Sequence, residues 1–500
     1  MLVGPVERVA AVWPLLPEPL KRYALLSDAA GKADAFLPLE CCLAGASDIA
    51  IEGWLGAFRV TARRQGEICA VQERLLGAGG AFDLILDLLP NPLLALPVPP
   101  PGYYAPGPDD DRLAAALAEL PDMLGVFDKP KFFAYDARLC AHDTGAIHGC
   151  RACLEVCGAE AISSERGAIR VNPFLCQGCG DCTSACPSGA LRYAWPTPAE
   201  SLQELRRMLQ VSAPANSARW LLLLPGEKGE NWRAEQAETV PEQVLPFPVE
   251  ALGAAGLEFW LAALAFGAAG VALLDLPGLN DLTRANLRQQ LAYGRALLEA
   301  LGLGGERLTF SAAPAFPEHG AACPPATFAC LDDKREILHL ALEHLWRHAP
   351  LQPEETMLPD DAPCGAIRVD TDRCTLCLAC VGLCPAAALK DGADEPSLSL
   401  IEANCVQCGR CANGCPEKAI ELQPRYLFDR NRARTPRLLH REAIFRCPEC
   451  GRPFATERMI RTIGERLKNH PLFQGDKLRH LSLCADCRVK GMFSGGAQKA

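Results

Sequence analysis

CTLCLACVGLCP, residues 374–385, holds four cysteines within eleven residues and closes on proline. The spacing C-x2-C-x2-C-x3-C-P returns unchanged at CVQCGRCANGCP, residues 405–416, and at CQGCGDCTSACP, residues 176–187. A fourth run precedes the last of these. There Cys150, Cys153 and Cys157 keep the spacing, Gly158 stands where the others have proline, and nine residues rather than two separate Cys140 from Cys150. The sixteen cysteines thus form two pairs of runs: Cys140, Cys150, Cys153, Cys157 with Cys176, Cys179, Cys182, Cys186, and Cys374, Cys377, Cys380, Cys384 with Cys405, Cys408, Cys411, Cys415.

Ordinary buried thiols do not repeat such a spacing, and structural zinc pairs one C-x2-C with a distant second half. Four cysteines packed this closely suit a cuboidal iron–sulfur cluster. At these residues the chain resembles the bacterial two-cluster ferredoxins, and it does so twice, as in polyferredoxins. The flanks agree: GAIRVNPFLC, residues 167–176, and GAIRVDTDRC, residues 365–374, read as copies of one strand-and-turn unit, and AEAI, SGAL, AAAL and EKAI follow the four runs.

The resemblance implies that the fourth cysteine of each run crosses to its neighbour's cluster. One 4Fe-4S cluster would then take Cys140, Cys150, Cys153 and Cys186, and the next Cys176, Cys179, Cys182 and Cys157. The second pair would take Cys374, Cys377, Cys380 with Cys415, and Cys405, Cys408, Cys411 with Cys384. Four clusters are expected in all. The insertion AHDTGAIHG, residues 141–149, is expected to be an excursion beside the first cluster: a plain surface loop, a shield against water, or a partner-specific contact. Cys140 is the economical first ligand, with His142 or His148 as the alternative.

RCPECGRPF supplies Cys447 and Cys450, and LCADC supplies Cys484 and Cys487, with helix-like TERMIRTIGERLKNH between them. Two C-x2-C halves at this separation predict a structural zinc knuckle of ribbon or treble-clef type, preferred over rubredoxin-like iron because the second half lacks the C-P-x-C-G form. Cys41, Cys42, Cys69, Cys323, Cys330 and Cys364 form no such spacing and read as free thiols.

Clustered cysteines, 26 in 500 residues, are distributed as metal ligands are and not as disulfides in a small secreted scaffold. The first residues carry Glu7, Arg8 and several prolines instead of an apolar leader core, so a cytoplasmic location is expected. FWLAALAFGAAGVALL, residues 259–274, is too short to span a bilayer and predicts a buried helix running into a buried strand. A net charge of −10 argues against nucleic acid. From residue 424 onward 17 Lys and Arg stand against 7 Asp and Glu, a balance of +10 that leaves −20 for the preceding 423 residues. That basic end is either a solvated face or a docking surface for an acidic redox partner.

Length predicts several domains. The expected architecture is multidomain α/β plus α+β: an N-terminal α/β or α+β domain over 1–110, dicluster modules over 130–200 and 360–424, a small parallel α/β domain over 218–312, and the knuckle over 440–492. NPLLALPVPPPGYYAPGPDDD reads as a linker, the chain before residue 218 and PLQPEETMLPDDAPC as boundary loops, and PGEKGENW and GLGGERL as turns or helix stops. ALAFGAAGVALL with LLEALGLGGERL resembles the delta subunit of methyl-viologen-reducing hydrogenases, which implies an electron-transfer module that here has lost its cluster, since no cysteine lies between Cys186 and Cys323.

No nucleophile triad, phosphate loop or carboxylate pair stands out, so catalysis is assigned to a partner of formate dehydrogenase, hydrogenase or heterodisulfide-reductase type. The rival expectation is an iron–sulfur regulatory or maturation factor for a metalloenzyme. A redox enzyme in its own right would need a further cofactor that no motif predicts.

Overall fold

The computed structural model describes residues 1–27, 38–212, 219–236, 239–317, 323–392, 395–473 and 475–494. The short strands Leu2–Gly4, Ala24–Leu26 and Ile85–Asp87 are buried throughout, and alternate side chains enter opposite cores: Leu2, Leu26 and Leu86 one, Val3, Leu25 and Ile85 the other. Strands buried on both faces belong in parallel sheets. The sheet formed is parallel throughout, in the order Cys42–Leu43, Ala24–Leu26, Leu2–Gly4, Ile85–Asp87, Tyr103–Tyr104. An antiparallel sheet of Ser47–Glu52, Arg59–Arg64 and Glu67–Ala70 packs on one of its faces.

The proline-rich stretch expected to be a linker is instead part of the packed structure. Its Tyr103 ends the sheet, donating from its hydroxyl to Oδ2 of the fully buried Asp87 at 2.6 Å. Asp87 also accepts from the amides of Leu89 and Leu93, at 3.0 and 2.8 Å. Further along, Val98 and Pro99 bond to the first cysteine-rich region.

The parallel sheet of the middle region has the order Val244–Val249, Arg219–Pro225, Ala268–Leu274, Leu308–Ser311. The apolar 259–274 stretch divides, as expected, into the helix Leu257–Ala265 and the strand Ala268–Leu274, both buried. Gly270 is required where it stands, because a Cβ there would lie 2.5 Å from the Trp220 ring. The long helix Asp281–Ala300 starts at Asn280, whose Oδ1 accepts from the Thr283 amide at 2.9 Å.

Three stretches read as loops or turns are regular elements. Residues 198–212 form the helix Pro198–Ser212, whose Leu202, Leu205 and Leu209, spaced three and four apart, enter the main core. PGEKGENW opens the helix Gly226–Glu235, where Gly229 lets the helix approach the end of the preceding strand at Leu224. Glu355–Met357 is a strand that pairs antiparallel with Ile420–Leu427. GLGGERL does stop a helix, with Gly302 and Gly304 both at positive φ.

The helix Lys334–His348 joins this middle core to both cysteine-rich regions. No helix among the described residues is long and apolar enough to cross a membrane.

Candidate iron-sulfur sites and a four-cysteine knuckle

Each cysteine-rich region is a set of short antiparallel pairs. In the first, Phe133–Tyr135 pairs with Leu191–Tyr193 and Ile162–Glu165 with Ala168–Val171. In the second, Gly365–Val369 pairs with Ile420–Leu427, and Leu389–Asp391 with Ser397–Leu400. The repeated GAIRV is thus a strand in both regions.

The loops between these strands share one backbone. In the three regular runs the residue before the second cysteine and the residue after it take positive φ: Gly178 and Gly180, Leu376 and Leu378, Gln407 and Gly409. Leucine in the left-handed region costs about 1–2 kcal/mol, so the loops at Leu376 and Leu378 are held there by what surrounds them. The third residue after every fourth cysteine is also left-handed: Glu160, Gly189, Ala387 and Lys418. The irregular run therefore turns like the others after Cys157.

This winding gathers the cysteines across runs. Cys140, Cys150, Cys153 and Cys186 line one cavity, walled by Tyr135, Ile169 and Leu191. Cys384, Cys405, Cys408 and Cys411 line another, walled by Ile367, Leu389 and Leu422. Cys182 has Cys179, Cys176, Cys157 and Cys153 as electrostatic neighbours, and Cys380 has Cys374, Cys377 and Cys415. Cys186 thus sits with the first three cysteines of its neighbouring run, and Cys384 with the first three of its own neighbour.

Burial pushes several of these thiols up, Cys150 and Cys380 to about 12 and Cys405 to about 11. A metal centre is what makes buried cysteines thiolate at neutral pH. Donors for such thiolates are in place. The amide two residues on points at the sulfur of Cys150, Cys179, Cys374, Cys405 and Cys408. Ala388 N donates to Cys384 Sγ at 3.2 Å, Ala419 N to Cys415 Sγ at 3.3 Å and Gln407 Nε2 to Cys405 Sγ at 3.2 Å. Four sulfurs around an apolar cavity ringed by N–H groups fit a cluster, whose potential such bonds tune.

Cys140 lines the first cavity, and the two histidines of the insertion are engaged elsewhere. His142 is buried, with Nδ1 2.9 Å from the Cys150 carbonyl and Nε2 2.8 Å from Ser164 Oγ. His148 is exposed and lies 3.5 Å from Asp143.

Gly158, the missing proline, has a local cause. Its carbonyl accepts from Val98 N at 3.1 Å, and a Cβ there would come 3.1 Å from Val98 Cγ2 and 3.4 Å from Pro97 Cβ. Gln177 Nε2 donates to the Pro99 carbonyl at 2.6 Å. The proline-rich stretch so occupies the space beside the loop, a contact with no sequence signal.

Cys447, Cys450, Cys484 and Cys487 lie with their sulfurs within 4.8 Å of one another, and Cys450 and Cys484 are 3.6 Å apart. Tetrahedral zinc with bonds of about 2.3 Å needs sulfurs about 3.8 Å apart. The hairpin of Ile444–Arg446 with Pro453–Thr456 carries the first half, and the helix Ala485–Ser494 carries Cys487. Among the described residues no other group of three or more His, Cys, Asp or Glu converges this tightly.

Residues 148–190 and residues 373–420 each match a family model described as a 4Fe-4S dicluster domain. The chain carries two dicluster domains. The first match begins beyond Cys140 and most of the insertion. The chain is also similar to the ferredoxin-type protein NapH of Haemophilus influenzae, 31% identical over 62 residues, which cover 12% of this chain and 22% of that protein. It thus spans about a fifth of that relative's length. With the dicluster domains go a mixed α/β framework and a C-terminal four-cysteine group of zinc-ribbon-like form.

Proposed function

We propose that this chain is an electron carrier with four 4Fe-4S clusters, in the four ligand sets that the crossing fourth cysteines define, and one zinc at Cys447, Cys450, Cys484 and Cys487. The observation that supports the reading is that Cys140, Cys150, Cys153 and Cys186 line one cavity and Cys384, Cys405, Cys408 and Cys411 another, with N–H donors aimed at sulfur. When bound, such clusters supply one-electron transfer. The chain's own residues fix the centres, shut out water with the Ile, Leu and Tyr walls, and set the cost of adding charge through N–H groups and nearby cations.

Catalysis would then belong to a cytoplasmic partner of formate dehydrogenase, hydrogenase or heterodisulfide-reductase type, docking an acidic surface on the basic C-terminal region. The middle α/β domain would serve as a cluster-free scaffold. Anaerobic purification with metal analysis and a redox titration tests this. About sixteen irons and one zinc per chain, with clusters reduced reversibly, is the expected result. Clusters that fall apart on reduction would replace the carrier with the regulatory or maturation factor.

A further inference from the structure

The insertion 141–149 is closed by its own bonds. Thr144 and Ile147 exchange backbone bonds of 3.0 Å each, Asp143 Oδ1 accepts from Gly149 N at 2.8 Å, and His142 ties the base of the loop to Cys150 and Ser164. Ala141 and His142 are each 3% exposed. A stray surface loop would not be buried at its base and pinned across its neck.

Its outer side meets the second dicluster module. Asn413 Nδ2 donates to the His148 carbonyl at 2.9 Å across 265 residues of chain. A Cβ on Gly414 would lie 3.1 Å from Ile147 Cδ1, and one on Gly149 would lie 2.8 Å from Arg410 Cγ. Arg410 and Asn413 belong to the short helix Arg410–Asn413, which carries Cys411 and directly follows the Cys408 loop. Cys150 and Cys408 line a common cavity of about 240 Å³ with Gly149, Arg151 and Gln407.

We infer that the insertion is the joint between the two modules. It holds the site of Cys140, Cys150, Cys153 and Cys186 against the site of Cys384, Cys405, Cys408 and Cys411, so that the four centres form one chain instead of two separate pairs. The inference rests on the four-cluster reading above. A two-residue spacing, as in the other runs, leaves no segment to reach Asn413 and Gly414. The order along the chain of centres is then the Cys176 site, the Cys140 site, the Cys405 site and the Cys374 site, with the insertion at the middle step.

The test uses the full-length protein, reduced and purified without oxygen, and reads magnetic coupling between clusters by electron paramagnetic resonance beside the iron content. Two variants are compared: deletion of residues 142–148, and Ile147→Asp with Asn413→Asp, which sets carboxylates at the joint and alters no cysteine. The paired substitution is expected to keep the wild-type iron content and the coupling within each module while losing the coupling between modules. The deletion is expected to lose it too. Coupling between modules that survives both changes overturns the joint. If the deletion also sheds the Cys140 cluster, the paired substitution decides alone. A wild type with about eight irons or fewer overturns the four-cluster reading, and the joint with it.

Discussion

Lys334 and Arg335 are adjacent in the chain and hold opposite modules. Lys334 Nζ donates to the carbonyls of Thr183 and Ser184 at 2.8 and 2.6 Å, in the first module's helix Asp181–Ala185. Arg335 donates from Nη1 to Pro363 O at 2.8 Å, and from Nη2 to Ala403 O at 2.8 Å and Cys405 O at 3.2 Å, in the second. On the same side as Lys334, Thr283 and Asn286 of the long helix bond Asp181, and Asn286 Nδ2 reaches Ser184 Oγ at 2.9 Å. The middle domain is the frame on which the two modules are set.

Arg335→Leu should therefore act on one cluster more than on the others. It removes a cation beside Cys405 and strips donors from buried carbonyls, each worth about 1–3 kcal/mol when left unpaired. The expected result is a lower apparent Tm and a more negative potential for the cluster of Cys384, Cys405, Cys408 and Cys411 alone. Arg335→Lys should restore most of the potential. A redox titration in which Arg335→Leu leaves that potential unmoved would remove the cation from the account.

His339 gives the fold an acid-sensitive element. Its Nδ1 lies 2.8 Å from the Tyr426 hydroxyl and its Nε2 3.0 Å from Ala403 O. Burial first, then the charge of Arg335, holds the imidazole down at about 3. The unfolded chain takes a proton near 6.5 and the folded one does not until near 3, so the unfolded state holds more protons between those values. This contribution to stability is complete above pH 6.5 and falls with acidification by up to about 1.4 kcal/mol per pH unit. Thermal melts between pH 7 and pH 5 should show a shallower acid slope for His339→Gln than for the wild type.

Cys447→Ser should abolish zinc binding and leave the iron content unchanged. The knuckle also touches the Cys374 loop, since Thr456 Oγ1 donates to Thr375 O at 3.1 Å and Arg458 Nη1 to Asp372 O at 2.5 Å. The cluster of Cys374, Cys377, Cys380 and Cys415 should accordingly bleach faster in air than its wild-type counterpart, and its neighbour in the second module with it, while the two of the first module keep their rates. Equal bleaching of all four would show the knuckle to be independent of that loop.

Gly158→Pro restores the residue found after the other three fourth cysteines, and it should be harmful here. A ring at this position presses on Val98 and Pro97, so the proline-rich stretch is expected to lift while the iron stays bound. Limited proteolysis should cut near residues 97–101 sooner in the variant. Unchanged protection would mean that the two segments accommodate each other.

The two dicluster domains were legible in the sequence because ligand spacing is a local property: three runs repeat without change, and the fourth keeps three of its four cysteines in register. The parallel middle domain was legible for a similar reason, through strings such as RWLLLLP that are apolar at every position. The helix Pro198–Ser212 was missed although Leu202, Leu205 and Leu209 carried its signal, hidden among charged neighbours. The packing of Val98 on Gly158, the Asn413 bond to His148 and the divided duties of Lys334 and Arg335 join segments far apart in the chain. No window of sequence contains such contacts.

The exchange of fourth cysteines bears on how the protein is made. With the proposed ligand sets, neither site of a module would have its four sulfurs until both runs have turned, so a nascent module that lacks its second run would offer three sulfurs where four are needed. Cofactor loading would then wait for the whole module to leave the ribosome. Losing one centre would also withdraw a sulfur-bearing turn from its neighbour and make gain and loss of clusters within a module concerted events.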